Sequence, residues 1–118
     1  MNSGGNAALA MLNDAASRLF KLRYLPLFEN DLYNAASYIS HKLDNPDAAQ
    51  RLVDEVEKAI LERLDMPLSF EPYRSPKKRA DTYYRIYVGN YTVFYVVIDD
   101  VMEVRRLIYS ARDFDRLL

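Results

Sequence analysis

The chain has 118 residues, with no Cys, no Trp, one His, ten Tyr and a net charge of −1. A domain of this length buries roughly two thirds of its unfolded surface, so one ordinary core suffices without staples. With no Cys and only His41, the sequence excludes disulfides, thiolate nucleophiles, Cys-ligated zinc or iron–sulfur sites, multi-histidine metal sites and two-histidine mechanisms.

Asn2 to Asn6 is flexible by composition, and Leu9, Leu12, Ala16, Leu19 and Phe20 then fall near helical spacing over Ala7–Phe20. So short a helix is marginal alone, and residues 1–20 read as an N-terminal extension ahead of a domain over 21–118. No basic stretch leads into an apolar run at the N-terminus, and no apolar run approaches the roughly 18 residues of a membrane span, so a soluble, cytoplasmic protein is expected. Lys21–Leu25 is a short strand closed by Pro26. From Leu27 to Leu43 the pattern is helical, with Leu32, Ala35, Ala36 and Ile39 on one stripe and Phe28 and Leu43 extending it. Asp44-Asn45-Pro46 makes a turn and caps a second helix over Asp47–Leu64, whose stripe is Ala49, Leu52, Val53, Val56, Ala59, Ile60 and Leu64. The short connection predicts an antiparallel helical hairpin.

Pro67, Pro72 and Pro76 forbid a regular helix over 66–81. The period then becomes two. Tyr83–Val88, Tyr91–Ile98 and Val101–Tyr109 read as strands joined by tight turns at Gly89-Asn90 and Asp99-Asp100, which is a β-meander. Arg112–Leu118 forms either a last helical turn or a final pairing segment. The order β-α-α-β-β-β defines an α+β fold, with the helical hairpin packed on one face of a mainly antiparallel sheet.

The charge is unevenly spread. Residues 1–25 carry +2, residues 26–66 carry −5 from nine acids against four bases, and residues 67–118 carry +2 from nine bases against seven acids. The acids fall at solvent-face spacing on the helices. His41 sits near a helix end, where a C-terminal capping role is expected. The cations and tyrosines concentrate in the C-terminal half: Arg74, Lys77, Lys78 and Arg79 in the loop, Arg85, Tyr87, Tyr95, Arg105, Arg106 and Tyr109 on the strands, and Arg112 and Arg116 after them. Strand alternation places Tyr83, Arg85 and Tyr87 on one face and Tyr84, Ile86 and Val88 on the other. With Ile86, Val88, Phe94, Val96 and Ile98 given to the helix-covered face, the opposite face presents Arg85, Tyr87, Tyr95 and one of Arg105 or Arg106. Such a surface suits RNA, because guanidinium groups neutralise phosphates and Tyr or Arg planes stack on unpaired bases. Cleavage of RNA by its own 2′-hydroxyl needs a base, an acid and stabilising cations, roles open to Lys, Arg and Tyr where histidine is absent. Tyr is also an ordinary strand residue and Arg snorkels at sheet edges, so a purely structural reading stands beside this one.

The stretch Tyr84-Arg85-Ile86-Tyr87-Val88-Gly89-Asn90-Tyr91-Thr92-Val93-Phe94-Tyr95-Val96-Val97-Ile98-Asp99 is similar to the "Y-R-I-x-x-G-x-Y-R-V-x-Y-x-V-x-D" pattern of RelE/ParE toxins of type II toxin–antitoxin (plasmid stabilisation) systems. Val104-Arg105-Arg106-Leu107-Ile108-Tyr109 followed by Ala111-Arg112-Asp113 resembles that family's last strand and its end, and the likeness runs from Lys21 to Leu118. The resemblance implies a toxin that arrests growth by ribosome-dependent mRNA cleavage or by poisoning DNA gyrase and is neutralised by a cognate antitoxin. It implies no cofactor and no metal; any enzymatic activity is that of a metal-independent endoribonuclease. Arg85 and Arg112 match basic positions of the pattern. With Tyr87 and Tyr95 they form the implied catalytic set, and Lys77, Lys78, Arg79, Arg85, Arg105 and Arg106 are the implied nucleic-acid contacts. Thr92 stands where the pattern has Arg, and Leu118 stands about where a catalytic Tyr lies in RelE-like members. The alternative is a non-catalytic protein- or RNA-binding module of the same fold, and assembly as a homodimer or as a toxin–antitoxin hetero-oligomer stays open.

Overall fold

Pro26 follows the first strand, β1 (Lys21–Tyr24), and starts the first helix, α1 (Pro26–Ser37), at a position where its missing N–H costs nothing. The computed structural model to which these elements belong describes residues 20–118. The helix expected over Ala7–Phe20 lies outside them except for Phe20. α1 does not run on to Leu43 as a regular helix. It passes into a π-helical turn over Tyr38–Lys42, which leaves Leu43 exposed rather than on the buried stripe. Asn45 then caps α2 (Pro46–Arg63), its side chain accepting from the Ala48 N–H at 3.1 Å. α2 buries Ala49, Leu52, Val56 and Ile60, four members of the expected stripe. Residues 64–83 form no helix, as the prolines require, and make one isolated β-bridge to the sheet, between Pro72 and Tyr84. The meander follows as β2 (Tyr84–Val88), β3 (Tyr91–Ile98) and β4 (Val101–Tyr109), and α3 (Phe114–Leu117) is a single closing turn. Gly89 at φ 56° and Asp99 at φ 54° supply the left-handed residues of the two hairpin turns.

The sheet order is β1-β4-β3-β2, with β1 parallel to β4 and the other pairs antiparallel. This is the expected α+β architecture, with α1 and α2 on one face. The faces of β3 are reversed from the expectation. The two-residue turn pairs Val88 with Tyr91, hence Ile86 with Val93 and Tyr84 with Tyr95. Partners across an antiparallel pair share a face, so Val93, Tyr95 and Val97 meet the helices while Phe94, Val96 and Ile98 face away. Tyr95 is therefore a core residue at 0% exposure, stacked on Tyr84 at 5.3 Å, and not a member of the open surface.

A second correction concerns β4. Phe94 pairs with Arg106 and Tyr95 with Val104, so Arg105 has no partner and forms a β-bulge. The extra residue breaks strict alternation, and both arginines stay out of the apolar core. A third concerns Asp31, expected on a solvated face. β1 ends at Tyr24, opposite Val104, and α1 takes over the outer edge of β4. Asp31 accepts there from the Leu107 N–H at 3.0 Å and from Arg106 at 2.8 and 3.2 Å. The carboxylate completes an edge where strand pairing has stopped.

Candidate functional site

Phe94 anchors the face turned away from the helices. Tyr73, Tyr83 and Phe114 meet its ring edge-on at centroid distances of 5.6, 6.5 and 4.8 Å, bringing the proline-rich loop and α3 together. Polar contacts lock that arrangement. Asp115 accepts from the Tyr73 hydroxyl at 2.8 Å and the Ser75 hydroxyl at 2.6 Å, while Arg79 donates to its backbone carbonyl at 3.0 Å and to the Leu118 carbonyl at 3.3 Å. The hydrogen bonds from Ser75 and Tyr73 hold the Asp115 carboxyl below the usual carboxylate range.

Arg85 projects from the edge strand β2 beside this cluster. Its guanidinium carbon lies 5.0 Å from the Tyr73 ring centroid and 5.7 Å from that of Tyr87, and among the described residues it has no carboxylate partner. Tyr87 is 63% exposed. The pair forms a flat cationic and aromatic surface at the sheet edge. Behind it, Arg63 at the end of α2 donates to the Arg85 carbonyl at 3.0 Å and to the Tyr95 hydroxyl at 2.9 Å, and the Tyr95 hydroxyl donates to the Pro67 carbonyl at 2.7 Å. Burial pushes the Tyr95 hydroxyl pKa up, against the pull of Arg63. Tyr95 is thus a buried phenol with both hydrogen-bonding roles filled, and it does not join Arg85 and Tyr87 on the open face as expected.

The remaining cations divide sharply. Arg105 bonds Glu103 at 2.9 Å, Asp81 at 3.1 Å and the Tyr83 hydroxyl at 3.1 Å; Arg23 holds the other oxygen of Glu103 at 2.8 Å. Burial alone would lower the Arg105 pKa, but the bonds to Tyr83 and Glu103 outweigh it and raise it. Arg106 is held by Asp31, and Arg79, at 16% side-chain exposure, by Asp115. These three are internal fasteners rather than open phosphate contacts. Lys77 is exposed but donates to the Asp115 carbonyl at 3.0 Å, and Lys78 is exposed in the same loop. Arg112 is exposed and lines a different cleft, with Tyr38, Ile39 and Leu43 of the helical side. The structure thus joins Arg85 with Tyr87, and neither lines the cleft that Arg112 lines.

Sequence reasoning missed Tyr73, Arg63, Asp31, Glu103 and Asp115. Tyr73 carried the one available signal, an aromatic residue between two prolines. The others look like ordinary charges on helices, a strand or the tail until distant partners, 22 to 80 residues away, are in place, although Glu103 also bonds Arg105 two residues on.

The sequence matches the family model of the ParE toxin of the type II toxin–antitoxin system, parDE, over residues 22–114. No curated protein matches it. Among solved structures, the fold is similar to the chromosomal ParDE toxin–antitoxin system from P. aeruginosa, with a TM-score of 0.62 at 14% identity, covering 79% of this chain and 98% of that one. A RelB–RelE antitoxin–toxin complex from Methanococcus jannaschii also matches, with a TM-score of 0.47 at 21% identity, covering 81% of this chain and 99% of that one. The family model spans most of the chain, from β1 to the start of α3, and the chain belongs to the ParE toxins of type II toxin–antitoxin systems, within the RelE/ParE superfamily.

Proposed function

We propose that the protein arrests growth by binding DNA gyrase rather than by cutting messenger RNA, and that a cognate antitoxin neutralises it. One observation carries this reading: the groups a nuclease would need are committed elsewhere. Tyr95 is in the core, Arg79, Arg105 and Arg106 are held by carboxylates of the same chain, and Arg112 lines a cleft to which Arg85 does not contribute. In-line cleavage at a 2′-hydroxyl requires acid, base and cation around a single phosphate. A toxin that works by binding needs a rigid surface with an arginine and aromatic anchors, and Arg85 against Tyr73 and Tyr87 offers that. The match to the ParE family model supports the same direction, and the ParDE system from P. aeruginosa supports an antitoxin as partner.

The test is induction of the full chain in a bacterial host, followed by separate assays of DNA integrity and of messages on translating ribosomes. The expected result is growth arrest with gyrase-dependent DNA breaks and intact messages, reproduced with purified gyrase and plasmid. Cut messages with intact DNA, or undisturbed growth at good soluble expression, would overturn the proposal.

A further inference from the structure

A half-open cleft of about 560 Å³ lies where the π-helical turn meets the β2–β3 turn and the end of β4. Its walls are Tyr38, Ile39, Leu43, Tyr91 and Tyr109, with Asn90 and Arg112 at the polar side. Tyr38, Leu43 and Tyr109 are each about half exposed, an unusual concentration of large apolar surface left open to water. Tyr91 and Tyr109 meet edge-to-face at 5.5 Å, so the floor is rigid. Tyr38, Tyr91 and Tyr109 line one space, and burial, then the proximity of Tyr109 and Tyr38, raises the Tyr91 hydroxyl pKa.

Among the described residues, Arg112 is the one charged side chain lining this cleft. No carboxylate lines it, and Arg112 forms no ion pair among the described residues. Lys42 and Asp44 flank Leu43 in sequence, and His41 faces a different cleft. An apolar aromatic floor next to an unpaired guanidinium is the composition of an interface hot spot that awaits a carboxylate. The π-helical turn is itself a rare device that is enriched at functional sites, and here it brings Tyr38 and Ile39 to the cleft.

We infer that this cleft docks an acidic polypeptide segment, taking one aromatic or leucine side chain between Tyr38, Leu43 and Tyr109 and pairing an adjacent carboxylate with Arg112. Neither Arg85 nor Tyr87 lines the cleft, and the inference stands whether or not gyrase is the target.

The probe is a synthetic twelve-residue peptide with one Phe flanked by Glu residues, titrated into the full-length, isotope-labelled protein. Two matched controls replace the Glu residues by Lys or the Phe by Ala. The expected result is saturable shifts of the Tyr38, Tyr91, Tyr109 and Arg112 signals, with each control about tenfold weaker or worse. Arg112→Gln should abolish the preference for Glu over Lys and keep the dependence on Phe, while Tyr38→Ser should remove the dependence on Phe and keep the charge preference. Equal binding of the Glu and Lys peptides, shifts confined to other surfaces, or charge discrimination that survives Arg112→Gln would overturn the proposal. So would concentration-dependent self-association that fills the cleft with a second copy, or a short single-stranded RNA that binds there more tightly than the peptide.

Discussion

The Arg63 guanidinium donates to the Tyr95 hydroxyl at 2.9 Å, joining the last turn of α2 to the middle of the sheet. The same guanidinium caps the Arg85 carbonyl on the edge strand and lies 3.4 Å from the Phe70 ring centroid, while Tyr95 fastens Pro67. Four segments therefore share one polar junction inside an otherwise apolar core. Tyr95→Phe preserves the ring stack on Tyr84 but leaves the Pro67 carbonyl without its donor. The expected cost is about 1–3 kcal/mol of unfolding free energy, measured by urea denaturation. Because Tyr95 is buried with both hydrogen-bonding roles of its hydroxyl filled, the folded variant should remain as toxic as the parent. Lost toxicity in a folded, equally abundant Tyr95→Phe protein would return this residue to the catalytic set.

Asp31 does two jobs at the β4 edge, and its substitutions separate them. Asp31→Asn keeps a side-chain oxygen for the Leu107 N–H but gives up the charge that faces Arg106; Asp31→Ala gives up both. The expected order of stability is parent, then Asn, then Ala, with the alanine variant losing about 2–3 kcal/mol. Amide exchange at Leu107 provides the local readout. It should accelerate strongly in Asp31→Ala and only modestly in Asp31→Asn.

The parts of the fold that rest on local chemistry were readable in advance. The stripe of α2, its Asn45-Pro46 start, the prolines that exclude a helix over 66–81 and the Gly89-Asn90 turn all appear as expected. The parity of β3 was misread although the turn length that sets it was visible, because Tyr91–Ile98 is apolar on both sides and both sides are largely buried. The bulge at Arg105 has no compositional mark. The burial of Tyr95 depends on a carbonyl 28 residues away, and the pairing of Asp31 with Arg106 spans 75 residues. Those long separations also explain why most of the cations looked available for nucleic acid: their carboxylates come from elements that sequence spacing cannot bring together.

Acid should weaken the open face first. Burial alone would push the Glu103 carboxyl up, but the hydrogen bonds from Arg23 and Arg105 outweigh it and hold it below the usual range; Ser75 and Tyr73 do the same for Asp115. A carboxyl depressed in the folded state contributes stability that is complete above its unfolded pKa and is lost as pH falls through its folded value. With unfolded values of about 3.9 for Asp and 4.3 for Glu, the urea midpoint should hold to about pH 5 and decline below about pH 4. Glu103→Gln removes one of the two groups, so its midpoint should be lower at neutral pH and its decline in acid shallower. An acid profile parallel to that of the parent would show that the Arg23–Glu103–Arg105 group does not govern the response.

Arg85 and Arg105 differ most sharply in how the fold holds them. Arg85 rests on two aromatic rings and pairs with no carboxylate among the described residues. Its removal should cost no more than about 1 kcal/mol of stability. Arg105 bonds Glu103, Asp81 and Tyr83, so its removal breaks three contacts and leaves Glu103 to Arg23 alone. Because the group is part-exposed, the expected cost is discounted to about 1–3 kcal/mol. Growth arrest should follow the opposite order. Arg85→Ala should raise the expression level needed for arrest by at least about tenfold with the fold intact, as a hot-spot arginine worth at least about 1.4 kcal/mol requires. Arg105→Ala should lose toxicity only in proportion to its lost folded fraction. Induction series with quantified soluble protein, alongside urea melts of both variants, decide the matter. A stable Arg85→Ala protein that arrests growth as well as the parent would exclude the β2 edge as the target-binding surface.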